Sequence, residues 1–433
     1  MTSLIAASFL GPTVAGDDRI PFATFTLPSF LPDLGLLPEN IHELYANSIA
    51  GKSVGILLPS MEFWNHLTQA IVLTTVFAAC MSQVVYAYVV QRRGTSLSRI
   101  VGFTVILACV LFPYAITSTL NVQNLVFKFT LCGGPALYMF RTSEAIFGFS
   151  PSGVERSALS YMAHYALPVE LELDRKTAEP VETNREEVAI NLMMLAGNFV
   201  QICVLMSLFT SSDYEPFEGR PGEMEGDDIT QFSPLQYLRP GHLGNCFVAA
   251  YLFQQMLGLY GFAMTAVVHF TTGYKTTVGM NNPLLEATSP SDFWGRRWNT
   301  LVHGVLKRGV YKPVRKYRSA LAASLAAFVA SGLFHEWIVH VMSFERECDK
   351  TCQVSHLGSN AKFFIWNGCV VVVETVLRSN VFVDRIGRYI PRLGITFLVV
   401  MTSLPVAHWF ADPYARQGFF DHYQQGYPMM VFV

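Results

Sequence analysis

Apolar residues run through this chain in stretches long enough to cross a bilayer, separated by short polar segments rich in arginine and lysine. A crossing helix needs about 20 mostly apolar residues. Eight segments approach or exceed that length: 66–90, 100–120, 123–140, 188–210, 245–270, 319–343, 361–377 and 393–410. The third and seventh are the weakest, since Lys128 and Lys362 fall inside them. Segment 44–64 is broken by Gly51, Lys52, Gly55 and Pro59 and reads as interfacial. The fold class is therefore an all-α polytopic membrane protein with about eight transmembrane helices. Residues 1–65 form an N-terminal lumenal or interfacial segment, 66–410 the membrane body and 411–433 a C-terminal tail.

Loop charge orients these spans. With the 90–99 loop placed in the cytosol and the sides alternated from there, the cytosolic loops hold 21 arginines and lysines and the opposite side 7. This positive-inside bias predicts an even number of crossings with both termini lumenal. Composition agrees with membrane residence. Of 433 residues 51% are hydrophobic and 14% charged, against about 25% charged in soluble domains. The net charge of −2 argues against nucleic acid as a partner. The first thirty residues hold a single basic residue, Arg19, after two aspartates, so the N-terminus reads as mature protein rather than a secretory signal. The loop 211–242 is acidic and glycine-rich and reads as a solvated lumenal excursion.

Most of the eight cysteines sit in or beside apolar runs and read as small hydrophobes. Cys348 and Cys352 flank a short polar loop. With His356 they make a poor zinc signal for want of a fourth ligand, and a disulfide suits a lumenal position better.

Two clusters carry candidate chemistry. Ser289-Pro290-Ser291-Asp292-Phe293-Trp294-Gly295-Arg296-Arg297-Trp298-Asn299 continues through His303 into a basic run ending at Arg318. Ser291 suits a helix N-cap, and Trp294 and Trp298 share one face at i, i+4 spacing. Indoles beside arginines suit an interfacial anchor, but the polar pair Asn299 and His303 does not need anchoring. The second cluster, Ser331-Gly332-Leu333-Phe334-His335-Glu336, places an ionisable pair at membrane depth, which is costly and marks a functional site by default. A zinc-protease reading with His340 fails. Histidines five residues apart point about 140° apart on a helix and cannot share an ion.

Together these clusters resemble the membrane-bound O-acyltransferase superfamily, and within it the wax synthase branch. Asp292-Phe293-Trp294-Gly295-Arg296-Arg297-Trp298-Asn299 is similar to that branch's signature, and Ser331-Gly332-Leu333-Phe334-His335-Glu336 to its second half, so the signature region is 281–341. The same residues are similar to diacylglycerol and sterol acyltransferases. The resemblance implies a multi-pass enzyme of the endoplasmic reticulum that makes wax esters from fatty acyl-CoA and a long-chain alcohol. Acyl-CoA is then a co-substrate, with no other cofactor and no metal. It implies His335 as catalytic base and Asn299 as its polar partner. Trp294, Arg296, Arg297, Trp298, His303 and Glu336 would line the substrate site, and Arg296, Arg297, Lys307 and Arg308 would face the CoA phosphates. Membrane lipids would surround the body and deliver a lipidic acceptor. Two rivals stand: the same chemistry with a diacylglycerol, sterol or terpenoid alcohol, and a transporter using Glu374, His269 and His408.

Overall fold

The computed structural model describes residues 19–26, 51–174, 176–211, 234–346, 357–377 and 390–432. Cys348, Cys352, His356 and most of the acidic loop lie outside the described residues. Helix α1 (Met61–Val85) starts where the Ser60 hydroxyl accepts the Phe63 N–H, and runs on through a π-helical turn, Tyr86–Val90. Helix α2 (Ser96–Leu120) is capped by Thr95 and stops at Asn121, whose φ of 48° is left-handed. Helix α3 (Leu125–Phe147) follows at once, its first N–H groups taken by the Asn124 side chain. Then come α4 (Ala158–Ala166), α5 (Arg185–Ser211), α6 (Pro240–Thr272), α7 (Thr300–Leu306), α8 (Ala320–Ser343) and α9 (Ser359–Leu377). Helix α10 (Arg392–Met401) passes through a short turn at Leu404–Val406 into α11 (His408–Ala415), and α12 (Phe419–Gln424) closes the helical part.

Among the described residues six helices have the length and hydropathy to cross a membrane: α1 with its π turn, α2, α5, α6, α8 and α9. The segment from α10 to α11 makes a seventh if the 50° bend between its halves lies within one span. Pro405 sits at that bend, where it removes a backbone donor. Helix α3 carries Lys128, Arg141 and Glu144 and is not among these six, yet its 23 residues cover about 34 Å. It returns beside α2, with Gly102 near the start of α2 against Ile146 near the end of α3. All three charged residues of α3 are buried in protein rather than facing lipid. Lys128 donates to the carbonyls of Phe344 and Met342 at the end of α8, which have no partner within their own helix. The apolar stripe of α2, Ile100, Phe103, Leu107 and Leu111, stays more than half exposed and suits contact with lipid chains.

A three-stranded antiparallel sheet was not legible in the sequence. Strand β1 (Ala23–Thr26) pairs with β2 (Ser53–Leu57), and β2 pairs with β3 (Met429–Phe432), with Val54 opposite Phe432. Arg19 ties the same corner by donating to the carbonyls of Tyr427 and Leu58. The sheet holds the segments before α1 and after α12 together. Residues 411–432, expected as a tail, contribute buried Tyr414, Phe419, Tyr427 and Met429 to the main core.

Candidate active site

The first cluster folds into a compact loop against α8 and α9. Its cap is Ser289, whose hydroxyl accepts the Asp292 N–H, and not Ser291. Ser291 instead gives its N–H and hydroxyl to the Glu374 carboxylate on α9, at 2.6 and 3.0 Å. Glu374, a candidate transporter carboxylate by sequence, thus anchors this loop. Residues Phe293–Arg297 form a π-helical turn closed by the Trp298 N–H on the Phe293 carbonyl. Such turns are rare and recur at functional sites.

The wide turn splays the two indoles. Trp298 stacks on Phe293 at 5.7 Å and 11°, while Trp294 packs among Phe328, Phe363 and Phe364. The Trp294 Nε1–H donates to Asn367 Oδ1, and the Asn367 amide donates to the Phe363 carbonyl one turn back. A fully buried polar side chain is thereby satisfied and the indole is fixed in direction.

The arginines divide sharply. Arg297 points inward, with Nε 2.8 Å from Asp292 Oδ2 and Nη1 2.9 Å from Glu286 Oε2. Burial pushes the Asp292 carboxyl up, but Arg297 and the Thr288 donors outweigh it and hold the carboxyl below its ordinary range. Arg297 is correspondingly held high, chiefly by Asp292. This guanidinium is an internal tie rather than a phosphate-facing cation. Arg296 points outward, its side chain 73% exposed beside Asp292. Arg308 is also committed inward, to Glu144 and Glu170. Burial lowers its proton affinity, yet the two carboxylates prevail and keep it above its usual value.

Asn299 has φ 41° and ψ 67°, the left-handed region where asparagine is tolerated best after glycine. Its Oδ1 accepts the Val302 N–H and caps α7. The helix continues through a second π turn, Lys307–Tyr311, to Arg315, with Gly309 set against the Phe140 backbone of α3. A side chain at Gly309 would lie 2.7 Å from that carbonyl oxygen. His303 is half-buried, and its Nε2 faces the space left by the missing side chain of Gly295. Burial first, then Lys307 and Arg308, lower its proton affinity and favour the neutral ring.

His335 lies in α8, deep within the bundle. Its Nδ1–H donates to the Ser331 carbonyl at 2.8 Å, which leaves Nε2 as the basic nitrogen. The ring touches Phe334 at 4.0 Å, stacks on Phe364 at 4.5 Å and meets Phe410 edge-on at 5.2 Å. The residue as a whole is partly exposed. Trp294 and His335, from separate motifs, meet on the single ring of Phe364. Glu336 points elsewhere. Its Oε1 accepts the Ala361 N–H and ties α8 to α9. His340 pairs with the Tyr114 hydroxyl, away from His335. Of the residues singled out by sequence, Trp294, Trp298, Asn299 and His303 lie on one loop-and-helix unit packed against the helix of His335, while Arg296, Arg297 and Glu336 point away from it.

Residues 278–366 match the membrane bound O-acyl transferase family. That segment contains both Asn299 and His335. Through it, the chain resembles the membrane-bound O-acyltransferases. A "Probable long-chain-alcohol O-fatty-acyltransferase 3" of Arabidopsis thaliana is 32% identical over 201 residues, 44% of this chain and 54% of the relative. The "Long-chain-alcohol O-fatty-acyltransferase" of Simmondsia chinensis is 32% identical over 127 residues, 28% of this chain and 33% of that protein. An "Acyl-CoA--sterol O-acyltransferase 1" of Arabidopsis thaliana is 33% identical over 126 residues, 28% of this chain and 34% of the relative. The chain thus spans about half, or less, of the length of these acyltransferases. The rings of Phe364 and Phe410 carried no signal in the sequence beyond being bulky positions in apolar helices.

Proposed function

We propose that the chain is an acyl-CoA-dependent O-acyltransferase of the endoplasmic reticulum membrane, with its basic face in the cytosol, that joins a fatty acyl group to a long-chain alcohol to give a wax ester. The observation that carries this reading is the Nδ1–H bond from His335 to Ser331, which leaves Nε2 as the basic nitrogen on a helix long and apolar enough to cross a membrane. The alcohol gives its proton to Nε2 as its oxygen attacks the thioester carbonyl. The carbon–sulfur bond then breaks, and the imidazolium returns the proton to the departing CoA thiolate. The thioester is already activated, so no further cofactor is required. Asn299, fixed by its own cap, has an amide N–H group left to steady charge on the acyl oxygen.

CoA phosphates stay in water, and exposed cations must meet them. A shallow surface depression is lined by Lys312, Arg315, Lys316, Phe147 and Phe149. Lys312 already sits over the Phe149 ring. From this end, α8 rises about 22 Å between Ala320 and His335, comparable to the reach of a phosphopantetheine arm. Lys312, Arg315 and Lys316, together with exposed Arg296 and Lys307, replace Arg297 and Arg308 as the cations for the donor. A sterol acceptor is the second reading, favoured by the 33% identity to the acyl-CoA–sterol enzyme. The test is purified protein or microsomes given labelled acyl-CoA with a panel of fatty alcohols, sterols and diacylglycerol. Ester formation from the fatty alcohols, absent in H335A, is expected. A membrane-inserted protein that esterifies none of them overturns the reading.

A further inference from the structure

At the start of α6 and of α11, His242, Cys246 and His408 are all buried. Their ligand-type atoms lie within 4.8 Å of one another. His242 and Cys246 are one turn apart in the first turns of α6, a spacing that puts both on one face. His408 opens α11, immediately after the bend in the broken span. Cys246 Sγ is 3.5 Å from His242 Nε2. Two ligands at zinc–sulfur and zinc–nitrogen distances in a tetrahedron stand about 3.6 Å apart. A fourth donor is at hand, since the Pro405 carbonyl oxygen lies 2.9 Å from the same Nε2. The rings of His242 and His408 are 4.8 Å apart and Tyr237 covers both.

We propose that His242, Cys246 and His408, with the Pro405 carbonyl, form a structural zinc site that pins the bend between α10 and α11. One thiolate, two imidazoles and an oxygen suit a borderline ion and no harder one. On binding, the Cys246 thiol proton is released to solvent. The proton that His242 Nε2 now donates to Pro405 moves to Nδ1, so that Nε2 is free to ligate. The geometric consequence reaches the other site. The pinned bend sets where Phe410 stands, two residues past His408, and Phe410 is a wall of the His335 ring. The inference does not depend on the acyl-transfer reading and fails separately from it.

The test is metal analysis of the purified full-length protein after incubation with zinc and desalting, beside H242A, H408A and the near-isosteric C246S. About one zinc per chain is expected in the wild type, falling at least fivefold in each variant. Cobalt in place of zinc should give a thiolate-to-metal charge-transfer absorption that C246S lacks. A chelator should lower the melting temperature of the wild type and leave that of C246S unmoved. Wild-type protein that retains no zinc and gives no cobalt absorption overturns the site, as does C246S that retains both in full.

Discussion

His335 donates through Nδ1 to the carbonyl of Ser331, one turn back along the same helix, at 2.8 Å. A backbone carbonyl can only accept, so this bond sets the tautomer and leaves the lone pair on Nε2. Replacing His335 with alanine or glutamine should lower ester synthesis by about 10²–10⁴-fold, the usual contribution of a positioned general base. Membrane insertion should be unchanged. Assaying H335Q and H335A beside protease protection of the microsomes checks both halves.

Asn299 does two jobs that different substitutions separate. Asn299→Ala removes the cap and puts a Cβ-bearing residue without local hydrogen bonding at φ 41°, costing about 1–3 kcal/mol in all. Asn299→Asp keeps an acceptor for the Val302 N–H and tolerates the backbone, but has no amide donor. N299D should melt within a few degrees of the wild type and still lose most of its turnover. Turnover near that of the wild type in N299D would reduce Asn299 to a cap.

The two neighbouring arginines should behave differently. Arg296→Ala and Lys312→Ala should raise the KM for acyl-CoA severalfold with little change in kcat. Arg297→Gln strips Asp292 of its main partner and should destabilise the 281–299 loop by about 1–3 kcal/mol, so that kcat falls with thermal stability. Steady-state kinetics with the donor varied distinguishes them. An R297Q variant affected in donor KM alone would return Arg297 to the phosphates.

Acid should release the same loop. The Asp292 carboxyl is held below its ordinary value, so its stabilisation is complete above the unfolded-state value of about 4 and is lost as pH falls through the lower folded value. Tryptophan emission from Trp294 and Trp298 should stay constant from neutral pH to about 5 and shift to the red at pH values below about 4. R297Q should show the red-shifted emission already at neutral pH.

The crossing of α8 and α9 depends on a missing side chain. A Cβ at Gly332 would stand 2.9 Å from the Ala361 Cα, beside the bond from Ala361 to Glu336. Gly332→Ala should therefore cost about 1–3 kcal/mol through overpacking, read as a lower melting temperature. Gly133→Ala, with open space at its Cβ, is the control.

The helices were legible because crossing segments announce themselves in composition, and Phe334-His335-Glu336 stood out because charge is expensive there. The partner of each charge was not legible. Arg296 and Arg297 are adjacent and chemically identical, yet within the π turn one stays largely in water beside Asp292 while the other points inward between Asp292 and Glu286. Lys128 made α3 look like a poor span until α8 supplied carbonyls at its end. Ser291 and Ser289 are equal as caps on paper, and Glu374, far along the chain, claims the first. Periodicity reports which face a helix turns inward, whereas pairings across the bundle depend on depth and tilt, which it does not encode. For the same reason His242, Cys246 and His408 could not be grouped by spacing.

The pairing of β2 with β3 joins Val54 to Phe432, which are far apart in the order of synthesis. During translation β2 must wait, with one edge unsatisfied, until the helices between have been made and residues 429–432 emerge. Until then that edge is bare, a ready place for chaperones to bind.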